Sequence, residues 1–180
     1  GSEMCIRDRQ NSAPVARGTA HHKFLQYCNF EQARASLDTE IDRLLNDGKL
    51  TQEQVDMIDR KTLNEFLSTK LIDRIIASQL VMREKRFTAR LKPSDVFDEY
   101  KGVKTDVTVI IQGAVDLAFV EDGKLVIVDY KTDRVKDITK LAGLYKKQLY
   151  LYKSAMEQSE ELTVKECILC SIHLGAYITV

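Results

Sequence analysis

The pattern of apolar and polar positions changes period about halfway along the chain. Through the first half, apolar residues recur at intervals of three and four, which predicts amphipathic helices. Gly18–Cys28 reads as one helix, with His22 and Gln26 four apart on the same side. Glu31–Asn46 reads as a second, with Leu37, Ile41, Leu44 and Leu45 on one stripe and Asp47-Gly48 as its stop. Thr51-Gln-Glu-Gln54 has the form of a capping box and opens a third helix carrying Val55, Ile58, Leu63, Phe66 and Leu67. A shorter helix is expected at about 70–77. The second half favours strands at 81–91 and 107–111, with Lys92-Pro93 as a break between them. Asp122-Gly123 between two apolar runs predicts a tight hairpin. A helix at about 137–158 follows, carrying Leu141, Leu144, Leu149 and Tyr152, and then strands at 167–174 and 177–180. The expected architecture is α/β (α+β): a mixed central β-sheet flanked by helices, with an N-terminal helical segment.

The hairpin brings the first candidate chemistry. With Asp122 and Gly123 as the loop, paired positions add up to 245, and Asp116 and Asp129 satisfy that register. They would be direct cross-strand partners, with Cβ atoms roughly 5 Å apart. Like charges facing each other destabilise a sheet. The run Leu125–Val128 is apolar on both faces, which predicts a buried strand, and buried carboxylates need a compensating cation. Lys131 shares a strand face with Asp129 and is one candidate. A divalent ion is the other, since hard cations take oxygen ligands. A purely structural ion-pair cluster is the alternative, although burying three charges without a function is costly.

The glycine-led strand Gly113-Ala-Val-Asp116, followed by Asp129-Tyr-Lys131-Thr at the end of the next strand, resembles the PD-(D/E)XK nuclease superfamily, in its RecB-type branch. Three further segments carry the resemblance. Arg17-Gly18-Thr19-Ala20-His21-His22 is similar to the Gly-Thr-x-x-His helix of that branch, Gln148-Leu-Tyr-Leu-Tyr152 to its Gln-x-x-x-Tyr helix, and Val81–Phe87 to its first core strand. From about Arg17 to Val180 the chain looks like the C-terminal nuclease domain of AddA-type subunits of bacterial ATP-dependent helicase–nucleases. The resemblance implies a restriction-endonuclease-like core and a Mg²⁺- or Mn²⁺-dependent exonuclease acting on single-stranded DNA ends. It implies Asp116, Asp129 and Lys131 as catalytic residues. It implies His22, Asp116, Asp129 and the Tyr130 backbone carbonyl as metal ligands, with Gln148 and Tyr152 as DNA-binding or supporting residues. The implied partners are the helicase part of the full-length protein and an AddB-type subunit. Two other functions stay open: a catalytically inert module for DNA guidance or subunit contact, and a stand-alone iron–sulfur exonuclease of the same branch.

Composition narrows these readings. With 180 residues the chain suits one domain, expected over 14–180, with a helical insert at about 31–78 and the sheet core at about 81–180. Residues 1–13 read as a leader foreign to the fold, beginning with Gly1-Ser2 as a cloning scar. Charged residues make up 30% with a formal net charge of zero, which excludes a generally basic nucleic-acid binder but not a local patch. Arg83, Lys85, Arg86, Arg90 and Lys92 form a basic segment, either a solvated strand edge or a DNA-facing patch. Glu84 among them reads as a surface ion pair or an additional site acid. His21 and His173 read as structural. No membrane span or signal peptide is evident, so a cytoplasmic location is expected. No phosphate-binding glycine loop is present, so no ATP site is expected. Cys28 and Cys167-x-x-Cys170 hint at an iron–sulfur pattern, but alternation along 164–174 puts Cys167 and Cys170 on opposite faces. Together with Cys5 they read as reduced thiols, with no cluster.

Overall fold

The structure, a computed structural model, describes residues 13–180 and the backbone of Met4–Cys5, with side chains described from Ala16 onward. The leader expected over residues 1–13, Cys5's side chain included, therefore lies almost wholly outside the described residues. Within it, Met4–Cys5 (β1) runs parallel to Ile111–Gln112.

Six helices come first: α1 (Ala13–Tyr27), α2 (Phe30–Ala35), α3 (Leu37–Asn46), α4 (Gln52–Met57), α5 (Arg60–Leu67) and α6 (Lys70–Ala77). The second and third predicted helices are each broken in two. Ser36 is extended and its hydroxyl accepts from the Thr39 N–H, so α3 starts with its own cap inside the expected 31–46 helix. Asp59 does the same for α5, its carboxylate accepting from the Thr62 N–H. The Thr51–Gln54 capping box is present at α4, and α6 has the predicted bounds.

The sheet follows. β2 (Val81–Leu91) pairs antiparallel with β3 (Val109–Glu121) along its whole length, with the short α7 (Pro93–Val96) between them in sequence. β3 turns through Asp122-Gly123, both at positive φ, into β4 (Lys124–Lys131). α8 (Ile138–Glu160) then crosses over to β5 (Val164–Ser171), parallel to β4, and β6 (Ala176–Thr179) closes the edge.

Two cores sandwich this sheet. Leu117, Phe119, Val126, Val128, Tyr130 and Cys170 pack under α1–α6. Val115, Ala118, Leu125, Ile127, Cys167 and Leu169 pack under α8. The expected opposition of Cys167 and Cys170 is thus observed, while Cys28 joins Cys170 on the α1–α6 side. Burial pushes the Cys28 thiol up to about 12 and Cys167 to about 11, so both stay protonated.

Gly113 explains the glycine that leads the site strand. It lies opposite Phe87, and a Cβ there would sit 2.7 Å from the Phe87 ring. That ring is buried edge-to-face against Tyr152, with centroids 5.6 Å apart. Gly113→Ala is expected to overpack this contact by about 1–3 kcal/mol and lower Tm by about 3–8 °C. An unchanged thermal melt would show that Phe87 can move aside freely.

Candidate metal centre

The site forms where β3 and β4 part. The predicted register holds from Glu121↔Lys124 to Leu117↔Val128, and there the ladder ends. Asp116 and Asp129 would have been the next pair. Instead of facing Asp129 squarely, Asp116 turns its Oδ2 to accept the Tyr130 backbone N–H at 2.7 Å. The expected direct pairing is therefore replaced by a side-chain hydrogen bond that wedges the strands apart. Strict alternation fails at the same place. Val115 and Ala118, three apart on β3, both pack in the α8-side core, and so do Met82 and Phe87, five apart on β2. Glu84 lies between those two on β2, with a positive φ of 46° that a non-glycine residue adopts only at a strained position.

Glu84 is the residue that reading the sequence missed. The β2–β3 register puts it opposite Asp116, and its carboxylate, that of Asp116 and the His22 imidazole have ligand atoms within 4.8 Å of one another. Its basic neighbours are engaged elsewhere, rather than in the surface ion pair or the DNA-facing patch that the sequence allowed. Arg83 donates to the carbonyls of Leu25, Gln26 and Cys28 at the end of α1 and stacks 4.4 Å from the Phe30 ring. Lys85 pairs with Glu160 at 3.0 Å. By satisfying carbonyls at a helix end, Arg83 ties α1 to β2 and brings His22 beside Glu84.

His22 Nδ1 lies 3.5 Å from Asp116 Oδ1. Burial opposes a charge on this ring, but Asp116 and then Asp129 raise its pKa above the ordinary value. Burial would likewise push Asp116 up, but His22 and the Tyr130 N–H hold it below the usual carboxylate range. Asp129 goes the other way: burial first, then the charge of Asp116, push it up to about 6. Its main counter-charge is Lys131, whose Nζ lies 2.8 Å from Asp129 Oδ2 without hydrogen-bond alignment. The same ammonium donates to Gln148 Oε1 at 3.0 Å and sits 4.1 Å from the Tyr145 ring centre. Gln148 Nε2 in turn donates to the Tyr152 hydroxyl at 3.0 Å. Gln148 and Tyr152 thus meet Lys131 from α8 and brace it. Tyr130 contributes its backbone N–H to Asp116, while its ring is buried edge-on to Phe66 and His22.

His21 faces elsewhere. One ring nitrogen donates to the Arg17 carbonyl at 2.8 Å, and the other accepts the Asp59 backbone N–H at 3.0 Å. Burial lowers its pKa, and these two bonds select the neutral tautomer. It pins the start of α5 to α1, a structural role.

Three carboxylates and an imidazole converge on one partly buried point, with a single lysine as counter-charge. An aligned donor is lacking at Asp129 Oδ2. This donor set fits a divalent cation: hard oxygen ligands suit Mg²⁺ and Mn²⁺, and the imidazole extends the fit toward Mn²⁺.

An acid–histidine centre with an adjoining lysine, at the split of two strands in an α/β/α sandwich, is the arrangement of a phosphodiester-cutting domain. The chain belongs to the PD-(D/E)XK nuclease superfamily, whose sequence profile matches residues 2–175. It is similar to the A-subunit of the ATP-dependent helicase/nuclease of Clostridium botulinum strain 657, with 30% identity over 180 residues, covering 98% of this chain and 14% of that protein. The same-named protein of Clostridium acetobutylicum is 28% identical over 184 residues, covering 98% and 15%. The chain thus spans about one-seventh of the length of these relatives.

Proposed function

We infer that this chain is the nuclease module of an AddA-type helicase–nuclease and hydrolyses phosphodiester bonds of single-stranded DNA as an exonuclease. The convergence of His22, Glu84 and Asp116 beside the Asp129–Lys131 pair carries this reading. Mg²⁺ or Mn²⁺ would be held by His22, Glu84, Asp116 and Asp129, with the Tyr130 carbonyl available to complete the set. Such an ion would offset charge on the phosphate and lower the pKa of a bound water. Lys131, fixed by Gln148 and Asp129, presents a positive charge to the attacking water and the phosphate oxygens. Gln148 and Tyr152 hold that ammonium in place.

In the whole protein, the helicase part supplies unwound strands, and an AddB-type partner works with it during double-strand-break repair in the cytoplasm. The names of the relatives support this setting. No helix of the described residues is long and apolar enough to cross a membrane.

Cleavage of an end-labelled single strand with Mg²⁺, Mn²⁺ or EDTA tests the reading. Products are expected with either metal and none with EDTA. Absence of products at enzyme excess, together with no metal-driven rise in Tm, would overturn it. Glu84→Gln is expected to raise the metal concentration giving half-maximal cutting by about tenfold or more, as loss of a charged ligand does. An unchanged metal requirement would remove Glu84 from the site.

A further inference from the structure

Two hollows meet at the candidate centre. One, of about 470 Å³, is its mouth, lined by His22, Glu84, Lys23 and Gln26. The other, of about 780 Å³, lies next to it and is lined by Arg17, Arg134, His173 and Thr62 among others. Gly18 and Thr132 line both hollows and form the seam between them. The seam is tight: a Cβ at Gly18 would stand 2.7 Å from Thr132 Oγ1.

The larger hollow contains both acids and bases, but the acids are already engaged. Asp59 caps α5 through the Thr62 N–H, and both Asp133 oxygens accept from the Tyr145 hydroxyl at 3.2 Å. His21 uses both ring nitrogens. Arg17 and Arg134 are exposed and form no ion pair among the described residues. Two uncompensated guanidinium groups on one concave wall repel each other and favour an anion with several oxygens. Their planar donor forks match a phosphate. The volume is within the range of ligand clefts. Arg134 lies three residues after Lys131, and Arg17 five residues before His22, so both flank the centre along the chain.

We propose that this hollow is a phosphate subsite: Arg17 and Arg134 grip the backbone phosphate next to the one at the metal centre, and the nucleic-acid strand crosses the Gly18–Thr132 seam between the two. The proposal rests on the nuclease reading above and adds the path of the substrate strand.

The test compares wild type, the Arg17→Ala/Arg134→Ala double variant and Lys124→Ala. Lys124 is exposed at the hairpin turn, at the far end of β4, and controls for loss of surface charge. Binding of a labelled single strand is measured by fluorescence anisotropy over a salt series in EDTA, and cutting in Mg²⁺ is measured over a range of DNA concentrations. The double variant is expected to lose about tenfold or more in affinity. Its slope of log affinity against log salt should become shallower by about 1.4, at roughly 0.7 per phosphate contact on a single strand. KM for cutting should rise while kcat changes less than about threefold, and Lys124→Ala should follow wild type in every measure. Millimolar inorganic phosphate should fail to displace the strand; efficient displacement would mean a free-phosphate site and overturn the strand path.

A double variant with the wild-type salt slope and KM, in an enzyme that cuts, overturns the subsite and leaves the nuclease reading standing. A shallower slope in a protein that binds DNA but never cuts supports the subsite and removes the nuclease reading. A wild type that neither binds nor cuts removes both.

Discussion

Asp129→Asn is expected to abolish cutting, by about a thousandfold or more, while raising the melting temperature of the metal-free protein. The two effects have one cause. Asp129 is almost fully buried and shares its surroundings with a second carboxylate, so its ionised form is unfavourable and its pKa is pushed up to about 6. In the unfolded chain the same carboxyl titrates near 3.8. Below that pH it is protonated in both states and costs nothing. Between 3.8 and about 6 the folded state holds a proton that the unfolded state has released, so stability falls as pH rises and is lost in full above about 6.

Two pH units at about 1.4 kcal/mol each limit the gain from neutralisation to about 3 kcal/mol. Loss of the Lys131 ion pair returns part of it, leaving about 1–2 kcal/mol, or about 3–6 °C. Thermal melts in EDTA at pH 4 and pH 8 check this: the variant should gain on wild type at pH 8 and lose that advantage at pH 4. A divalent ion should reverse the order at pH 8, because it stabilises only the protein that can bind it. Full cleavage by the variant, or a lower metal-free Tm at pH 8, would contradict the assignment of Asp129.

Lys131→Ala is the second large effect, and it separates turnover from metal binding. The ammonium is held by Asp129, Gln148 and the Tyr145 ring, and it is the one cationic side chain in contact with Asp129 among the described residues. Removing it takes away positive charge needed as the phosphate gains negative charge, a loss of about 10²–10³ in kcat. The remaining acids become more negative together, so attraction for a divalent ion is kept or strengthened. The expected result at pH 8 is a metal-driven rise in Tm at least as large as in wild type, with cutting nearly gone. Loss of the metal-driven rise would make Lys131 part of the metal-binding framework instead.

Much of the frame was legible because it depends on short-range rules. Asp122-Gly123 supplies the two positive-φ positions of a tight turn, and turn length then dictates which residues pair along β3 and β4. The capping box at Thr51–Gln54 and the bounds of α6 and β2 follow from side chains acting on their own backbone neighbours. The helix breaks at Ser36 and Asp59 carried capping residues, but the apolar stripe continued across them and suggested single helices. The second break is reinforced by His21, 38 residues away, which accepts the Asp59 N–H.

The sequence alone was enough for the turn, the pairing register, the apolar strand that buries Asp129, and the placement of Lys131 beside it, since each depends on neighbours along the chain or on strict alternation. It was not enough for Glu84. Alternation fails at Glu84 and Asp116 together, because Arg83 is drawn to the open carbonyls of α1 and Asp116 is drawn to the Tyr130 N–H. Both attractions come from groups distant in sequence, and period-two reasoning contains neither. Only the packed molecule brings α1, β2 and β3 close enough for an imidazole and two carboxylates to meet at one point, and the energy of satisfying buried backbone groups holds them there.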